Sequence, residues 1–374
     1  MSNAEEPIPV TLLTGFLGSG KTTVLNYLVR QPELADALII INEFGEMALD
    51  HMLVAHSTEN LIMEMSSGCL CCTIRGDLVK TLREITWRFS RNGQRQFCRV
   101  LIETTGLADP APIIHTLMTH PQIATRYRLD GVIATVDTVI GMATLDHHRE
   151  AIKQAAMADV LLLTKSDMAD NQASNELLNR LRSINRTAAI WPAKNGVIEP
   201  QKILHMGLLN KDTKAPDVAQ WLKEEAFIES ASHECHHEAH SHDHLHEHDY
   251  KHGHHDVNRH DDRIHAFCFS VNDPISEKLM QEWLELLRFF LGDSILRVKG
   301  ILNVKGKPCP LAIHGVQHIF HPPISLPAWP SEDRRSRLVF ITQDVGKEVI
   351  ENTFKALKSV GEKQDTAIVE ERKS

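Results

Sequence analysis

A chain of 374 residues exceeds the usual span of one domain and leads to the expectation of two, or of one with a sizeable appendage. Hydrophobic residues at 42% and charged residues at 24% provide for a core and exclude a wholly disordered chain. The formal net charge of -9 repels phosphate backbones and anionic lipid, which argues against nucleic acid or a membrane surface as the main partner.

Seven cysteines are too few for a disulfide scaffold, and three of them crowd together at Cys69, Cys71 and Cys72, where adjacent thiols suit a metal better than bridges. A reducing compartment is expected. The opening MSNAEEPIPV lacks a basic n-region and an apolar h-region, and no apolar stretch approaches the ~18–20 residues that span a bilayer. The reading is therefore of a cytoplasmic protein.

In chain order, apolar runs at 8–14, 37–41, 98–102, 131–136 and 160–163 alternate with helix-like segments, the first starting at Lys21. The alternation predicts an α/β domain with a mostly parallel sheet and helices on both faces, continuing through a helix at 177–184 and a strand at 188–190. Arg83, Arg88, Arg91, Arg95 and Arg99 read as the solvated face of a helix. The nucleotide domain is placed at 1–213. Residues 214–262 form a predicted flexible linker, His-, Asp- and Glu-rich with almost no aliphatic residue at 232–260. Residues 263–374 are expected to form a smaller α+β domain in the order β-α-β-β-β-α, with helices on one face of an antiparallel sheet.

The sharpest motif is GFLGSGKT at 15–22, which fits G-x-x-x-x-G-K-[ST] between a strand and a helix: a P-loop. Gly15, Gly18, Ser19, Gly20, Lys21, Thr22 and Thr23 are the candidate phosphate-binding residues. The glycines let N–H groups turn toward phosphate, Lys21 reaches the β/γ oxygens, and Thr22 offers its hydroxyl to Mg2+. The strand before Glu103 makes that carboxylate the Walker B candidate, so Lys21 and Glu103 are the predicted catalytic residues. Thr164, Lys165 and Asp167 follow another strand, and the Asp167 carboxylate has the acceptors to read the guanine edge, favouring GTP over ATP.

Cys69, Cys71 and Cys72 are soft thiolate donors, suited to Zn2+ or Cu+, and their spacing is not that of a closed zinc knuckle, which points to an open or labile site. Glu43 and Glu46 follow a strand upstream and could complete such a site or contact Mg2+. The tract of histidines at 233–255 offers further imidazole donors for Zn2+, Ni2+ or Co2+. Three functions remain open on these residues: a GTPase that carries metal, a metal buffer or sensor with nucleotide in a structural role, and an ATP-dependent kinase or ligase, against which the TKSD motif argues.

Taken together, GFLGSGKTT at 15–23, NEFGE at 42–46, GCLCC at 68–72, ETTGLADP at 103–110, TKSD at 164–167, the His-rich linker and the small last domain make the chain resemble the CobW-like GTP-binding metallochaperones. This family belongs to the SIMIBI class of P-loop GTPases and is related to the urease and hydrogenase nickel-insertion GTPases. The resemblance implies GTP hydrolysis with Mg2+, coupled to delivery of a transition metal to a client protein. It makes the C-x-C-C motif the metal site and Glu43 a further ligand or switch residue. Zinc is the first choice of cargo and cobalt the second, as for a cobalt chaperone of cobalamin synthesis, and a homodimer is compatible with it. Thr164 stands where the commonest guanine motif has Asn.

Overall fold

The computed structural model describes residues 6–44, 61–67, 73–92, 94–204, 206 and 263–371. Among them, β1 (Ile8–Gly15) leads into α1 (Lys21–Leu28), followed by β2 (Ala37–Phe44), β3 (Leu61–Ser67) and α2 (Thr73–Arg88). A short hairpin, β4 (Ser90–Arg91) and β5 (Gln94–Arg95), precedes β6 (Arg99–Glu103), α3 (Ala111–Thr119), α4 (Pro121–Ala124) and β7 (Tyr127–Asp137). The first unit continues through α5 (Gly141–His147), α6 (Arg149–Met157), β8 (Val160–Thr164), α7 (Asn171–Ile184) and β9 (Ala189–Ala193).

Seven of these strands form one sheet in the order β3-β2-β6-β1-β7-β8-β9, and every described pairing in it is parallel. The apolar runs explain the burial of both faces, since successive side chains point opposite ways. Leu12, Leu38, Ile40, Val100, Ile102 and Leu161 enter one core, and Leu13, Ile39, Ile41, Leu101 and Leu162 enter the other. The parallel arrangement brings the C-terminal ends of β1, β2, β6, β7 and β8 to one edge, where open α/β sheets bind ligands.

The second unit is an antiparallel sheet ordered β10-β15-β11-β12-β13, with β14 against β12. Its strands are β10 (Ile264–Val271), β11 (Ile295–Leu302), β12 (Leu311–Val316), β13 (Ile319–Phe320), β14 (Ile324–Ser325) and β15 (Ser336–Gln343). Its helices are α8 (Glu277–Leu291), capped by Ser276 accepting from Leu279 N at 3.2 Å, and α9 (Lys347–Glu371). One face of the sheet packs on these helices around the fully buried Trp283, whose ring lies 4.8 Å from Phe269 and 5.1 Å from Phe354. Its other face closes on the nucleotide domain, because Leu296, Val316 and Ile341 join that domain's first core.

The joint also carries a buried ion cluster. Arg297 donates to the Met157 carbonyl and to Asp159, and Lys299 donates to the same Asp159 oxygen. The other Asp159 oxygen accepts from Val132 N at 2.9 Å. Burial by itself would raise the Asp159 carboxyl, but Arg297 and Lys299 hold it far below the carboxylate range. Burial, and then the Arg297 charge, push the Lys299 ammonium down to about 8.

Two expectations change. Two short strands, β13 and β14, extend the predicted β-α-β-β-β-α order, and the arginine series is not one solvated face. Arg91 and Arg95 lie in the hairpin, and Arg99 is buried in β6, bonded to the buried Asp130 at 3.1 Å, because β7, on the far side of β1 in the sheet, supplies its counter-charge. The predicted linker at 214–262 lies outside the described residues. No helix among the described residues is long and apolar enough to cross a membrane.

Candidate functional site

At the C-terminal edge of the parallel sheet the chain leaves β1 and turns into α1 through Gly15, Gly18 and Gly20, whose φ angles of 140°, 71° and 89° lie where side chains are rarely tolerated. Neutral bonds brace this turn. The Ser19 hydroxyl meets the Thr135 hydroxyl at 2.6 Å, and Thr164 Oγ1 donates to the Ser19 carbonyl at 2.8 Å, with the Val136 carbonyl 3.2 Å away. Thr164 thus props the P-loop from the tip of β8, a task for a short buried hydroxyl that accounts for a threonine at this position of the motif.

Lys21 Nζ donates to the Gly15 and Phe16 carbonyls at 3.0 and 3.1 Å, which keeps its ammonium over the mouth of the loop. Thr22 Oγ1 donates to Glu103 Oε1 at 3.3 Å. Glu103 is buried at the tip of β6 and pairs in register with Leu13 of β1 and Ile41 of β2. A hydroxyl and a carboxylate are the hard oxygen donors that suit Mg2+, so the residues present fit that ion. Thr23 is exposed on the first turn of α1.

The base-reading side is less closed. Lys165 adopts a left-handed φ of 54° and forms an ion pair with Asp137, while Asp167 is exposed in the turn that follows β8. Asp137 escaped the sequence reading. It ends β7, accepts from Val139 N at 2.8 Å, and fixes the lysine of the TKSD motif. The available signal was a strand tip ending in a carboxylate, the same pattern that identifies Glu103.

Gly106 was also missed as an individual residue. A Cβ there would sit 2.6 Å from Leu17 N, so only glycine lets the loop after β6 lie against the P-loop backbone. Helix α6 holds that loop: Gln154 Nε2 donates to the Gly106 and Ala108 carbonyls at 3.2 and 3.0 Å, and Lys153 pairs with Asp109 at 3.1 Å. Phe16 of the P-loop stacks on His148, with ring centres 4.3 Å apart.

The structure therefore gathers Gly15, Gly18, Ser19, Gly20, Lys21, Thr22, Glu103, Thr164 and Lys165 at one edge. Cys69, Cys71 and Cys72 lie outside the described residues. Glu43 lies in β2 opposite Ser66 of β3, and the described residues that flank the motif are Ser67 at the end of β3 and Thr73 at the start of α2. Among the described residues, no group of three or more His, Cys, Asp or Glu is arranged to hold an ion.

The family model of the CobW/HypB/UreG nucleotide-binding domain matches residues 9–192, and that of the cobalamin synthesis protein CobW C-terminal domain matches residues 264–358. The zinc chaperone YjiA of Escherichia coli strain K12 is 31% identical over 352 residues, which cover 94% of this chain and 99% of that one. The zinc chaperone CobW of Pseudomonas aeruginosa is 28% identical, over 93% of this chain and 91% of its own length. The crystal structure of the zinc-bound YjiA GTPase from Escherichia coli superposes with a TM-score of 0.64 at 28% identity, covering 94% of this chain and 99% of that chain.

Proposed function

The chain belongs to the CobW family of P-loop GTPases, and from that premise we propose that it hydrolyses GTP and couples its nucleotide state to carriage of a transition metal, zinc first, to a client protein. The observation that carries the reading is the meeting of Thr22 and Glu103, 81 positions apart in the sequence and 3.3 Å apart at the P-loop mouth. Thr22 and Glu103 would hold Mg2+, which would supply charge neutralisation at the β- and γ-phosphates. Lys21 exchanges its two carbonyl partners for phosphate oxygens. Asp167 reads the guanine edge, and Asp137 keeps Lys165 beside the base.

The metal is cargo. Cys69, Cys71 and Cys72 are its thiolate ligands, and Glu43 is a further ligand or the residue that feels the nucleotide. Relatives named as zinc chaperones, in Escherichia coli and Pseudomonas aeruginosa, support zinc over cobalt. Loss of the γ-phosphate frees the loop at 104–110 from the P-loop and lowers metal affinity, so that the ion passes to the client.

Turnover of GTP by the full chain in Mg2+ tests the catalytic half. Thr22→Ala and Glu103→Gln should each lower the rate on the order of a hundredfold or more, the usual cost of removing a preorganised charge-stabilising group. Undiminished hydrolysis in both variants would sink the assignment. ATP at equal concentration should leave the GTP rate unchanged.

A further inference from the structure

Helix α2 commits one face to the first core, through Leu78, Leu82 and Ile85. Lys80, Arg83, Glu84 and Trp87 form a different stripe, at the i, i+3, i+4, i+7 spacing that stacks side chains along one side of a helix. With Pro121 of α4 and Arg126 just beyond it, this stripe lines an open groove of about 710 Å³.

Two properties of the groove are not used by the fold. Trp87 is 68% exposed, whereas Trp191, Trp283 and Trp329 are each at least partly buried. An indole is the largest apolar surface a side chain offers, and the folded chain leaves this one in water. Lys80, Arg83 and Arg126 are also exposed, and no carboxylate among the described residues pairs with any of them. Three cations against the single carboxylate of Glu84 make the groove positive on a chain whose net charge is -9. Charge left unbalanced within the chain is free to steer and hold an oppositely charged partner.

We propose that the α2–α4 groove docks an acidic segment of a partner protein, with an apolar or aromatic side chain of that segment set on Trp87 and its carboxylates on Arg83, Arg126 and Lys80. Tryptophan and arginine carry most of the energy at protein interfaces, and the guanidinium fork matches a carboxylate with two parallel hydrogen bonds. Nucleic acid suits the groove less well, because Glu84 would face phosphates of its own sign, while a peptide can offer it an N–H. A second copy of this chain docked through the same face would set the cations against themselves. Helix α2 starts at Thr73, directly after Cys72, so Trp87 stands about 21 Å along the helix axis from the C-x-C-C motif at 1.5 Å per residue. That the partner is the metal-receiving client rests on the function proposed above; the docking itself does not.

The probe is a phage-displayed library of short random peptides, selected in parallel on the full chain, on Trp87→Ala and on the double variant Arg83→Glu, Arg126→Glu. All three positions are exposed, so both variants should keep the urea midpoint and the GTP turnover of the unmodified chain, which separates failure here from failure of the GTPase reading. The unmodified chain should enrich peptides that combine Asp or Glu with aromatic or leucine side chains, and the variants should not. By fluorescence anisotropy, the best enriched peptide should bind Trp87→Ala about tenfold or more weakly. The double reversal should weaken it about a hundredfold, and added salt should weaken binding to the unmodified chain. Equal enrichment on the variants, or selection of peptides without acids, would overturn the site. A DNA duplex that binds as tightly as the peptide, or a dimer of the chain that Trp87→Ala turns into monomer in sedimentation, would give the face to another occupant and overturn it equally.

Discussion

The two ends of strand β8 use polar groups in opposite ways. At its C-terminal end, Thr164 braces the P-loop through a neutral hydroxyl, and the cations nearby, Lys21 and Lys165, sit on carbonyls and on one carboxylate at an open rim. At the strand's N-terminal side, Asp159 is sealed between domains with Arg297 and Lys299 on one oxygen and a backbone N–H on the other. The rim must exchange ligands, so its bonds are individually weak and its charges replaceable. The joint must hold, so its charges are compensated and out of water. Helix α6 touches both, with Gln154 and Lys153 on the loop beside the P-loop and the Met157 carbonyl on Arg297.

Breaking the joint should have the largest effect. Asp159→Ala leaves two buried cations without their carboxylate and should cost about 3–5 kcal/mol in urea unfolding of the full chain. Replacing Asp159, Arg297 and Lys299 together with apolar residues should recover most of that loss. A cost under about 1 kcal/mol for Asp159→Ala, the level of a surface pair, would show that the cluster is hydrated.

Breaking the rim should spare stability and remove chemistry. Lys21→Ala should reduce GTP hydrolysis about 10²–10³-fold while leaving the urea midpoint almost unmoved, since the ammonium lies at the mouth of the loop. Thr164→Val keeps the shape but leaves the Ser19 carbonyl without its donor, and should weaken GTP binding by about 1–2 kcal/mol, seen by calorimetry. Equal affinity would remove Thr164 from the brace.

The smallest effect is on pH dependence. Burial pushes His321 down to about 4, and burial together with Lys299 and Arg297 pushes His314 well below its ordinary value. Between pH 4 and about 6.5 the unfolded chain therefore binds protons at His321 that the folded chain does not, so stability should rise with pH across this window. Urea midpoints of His321→Gln should follow a flatter curve there. An unchanged slope would assign the acid sensitivity elsewhere.

The sequence made the rim legible and left the joint unread, for a physical reason. The P-loop and Glu103 announce themselves because strand, turn and helix follow one another within a few residues, and the strands at 160–163 and 311–316 are apolar runs that pattern alone delimits. Asp137 and Lys165 pair only after two strands align, and Asp159 meets Arg297 and Lys299 from another domain, about 140 positions away. No local pattern encodes such partners. The edge strand Leu61–Ser67 went unread because its run, LIMEMSS, mixes apolar and polar residues. Arg99 misled for the converse reason: basic spacing reads as helix surface until a buried Asp130 is found in the next strand.

The coupling of nucleotide to metal is tested most directly by titrating Zn2+ into the GTP-bound and GDP-bound forms of the full chain. Linkage requires that, if zinc changes GTP affinity, the nucleotide change zinc affinity by the same factor. Zn2+ should bind more tightly to the GTP form, and that difference should vanish in the Cys71→Ala, Cys72→Ala double variant. Identical Zn2+ affinity in both nucleotide states would contradict it.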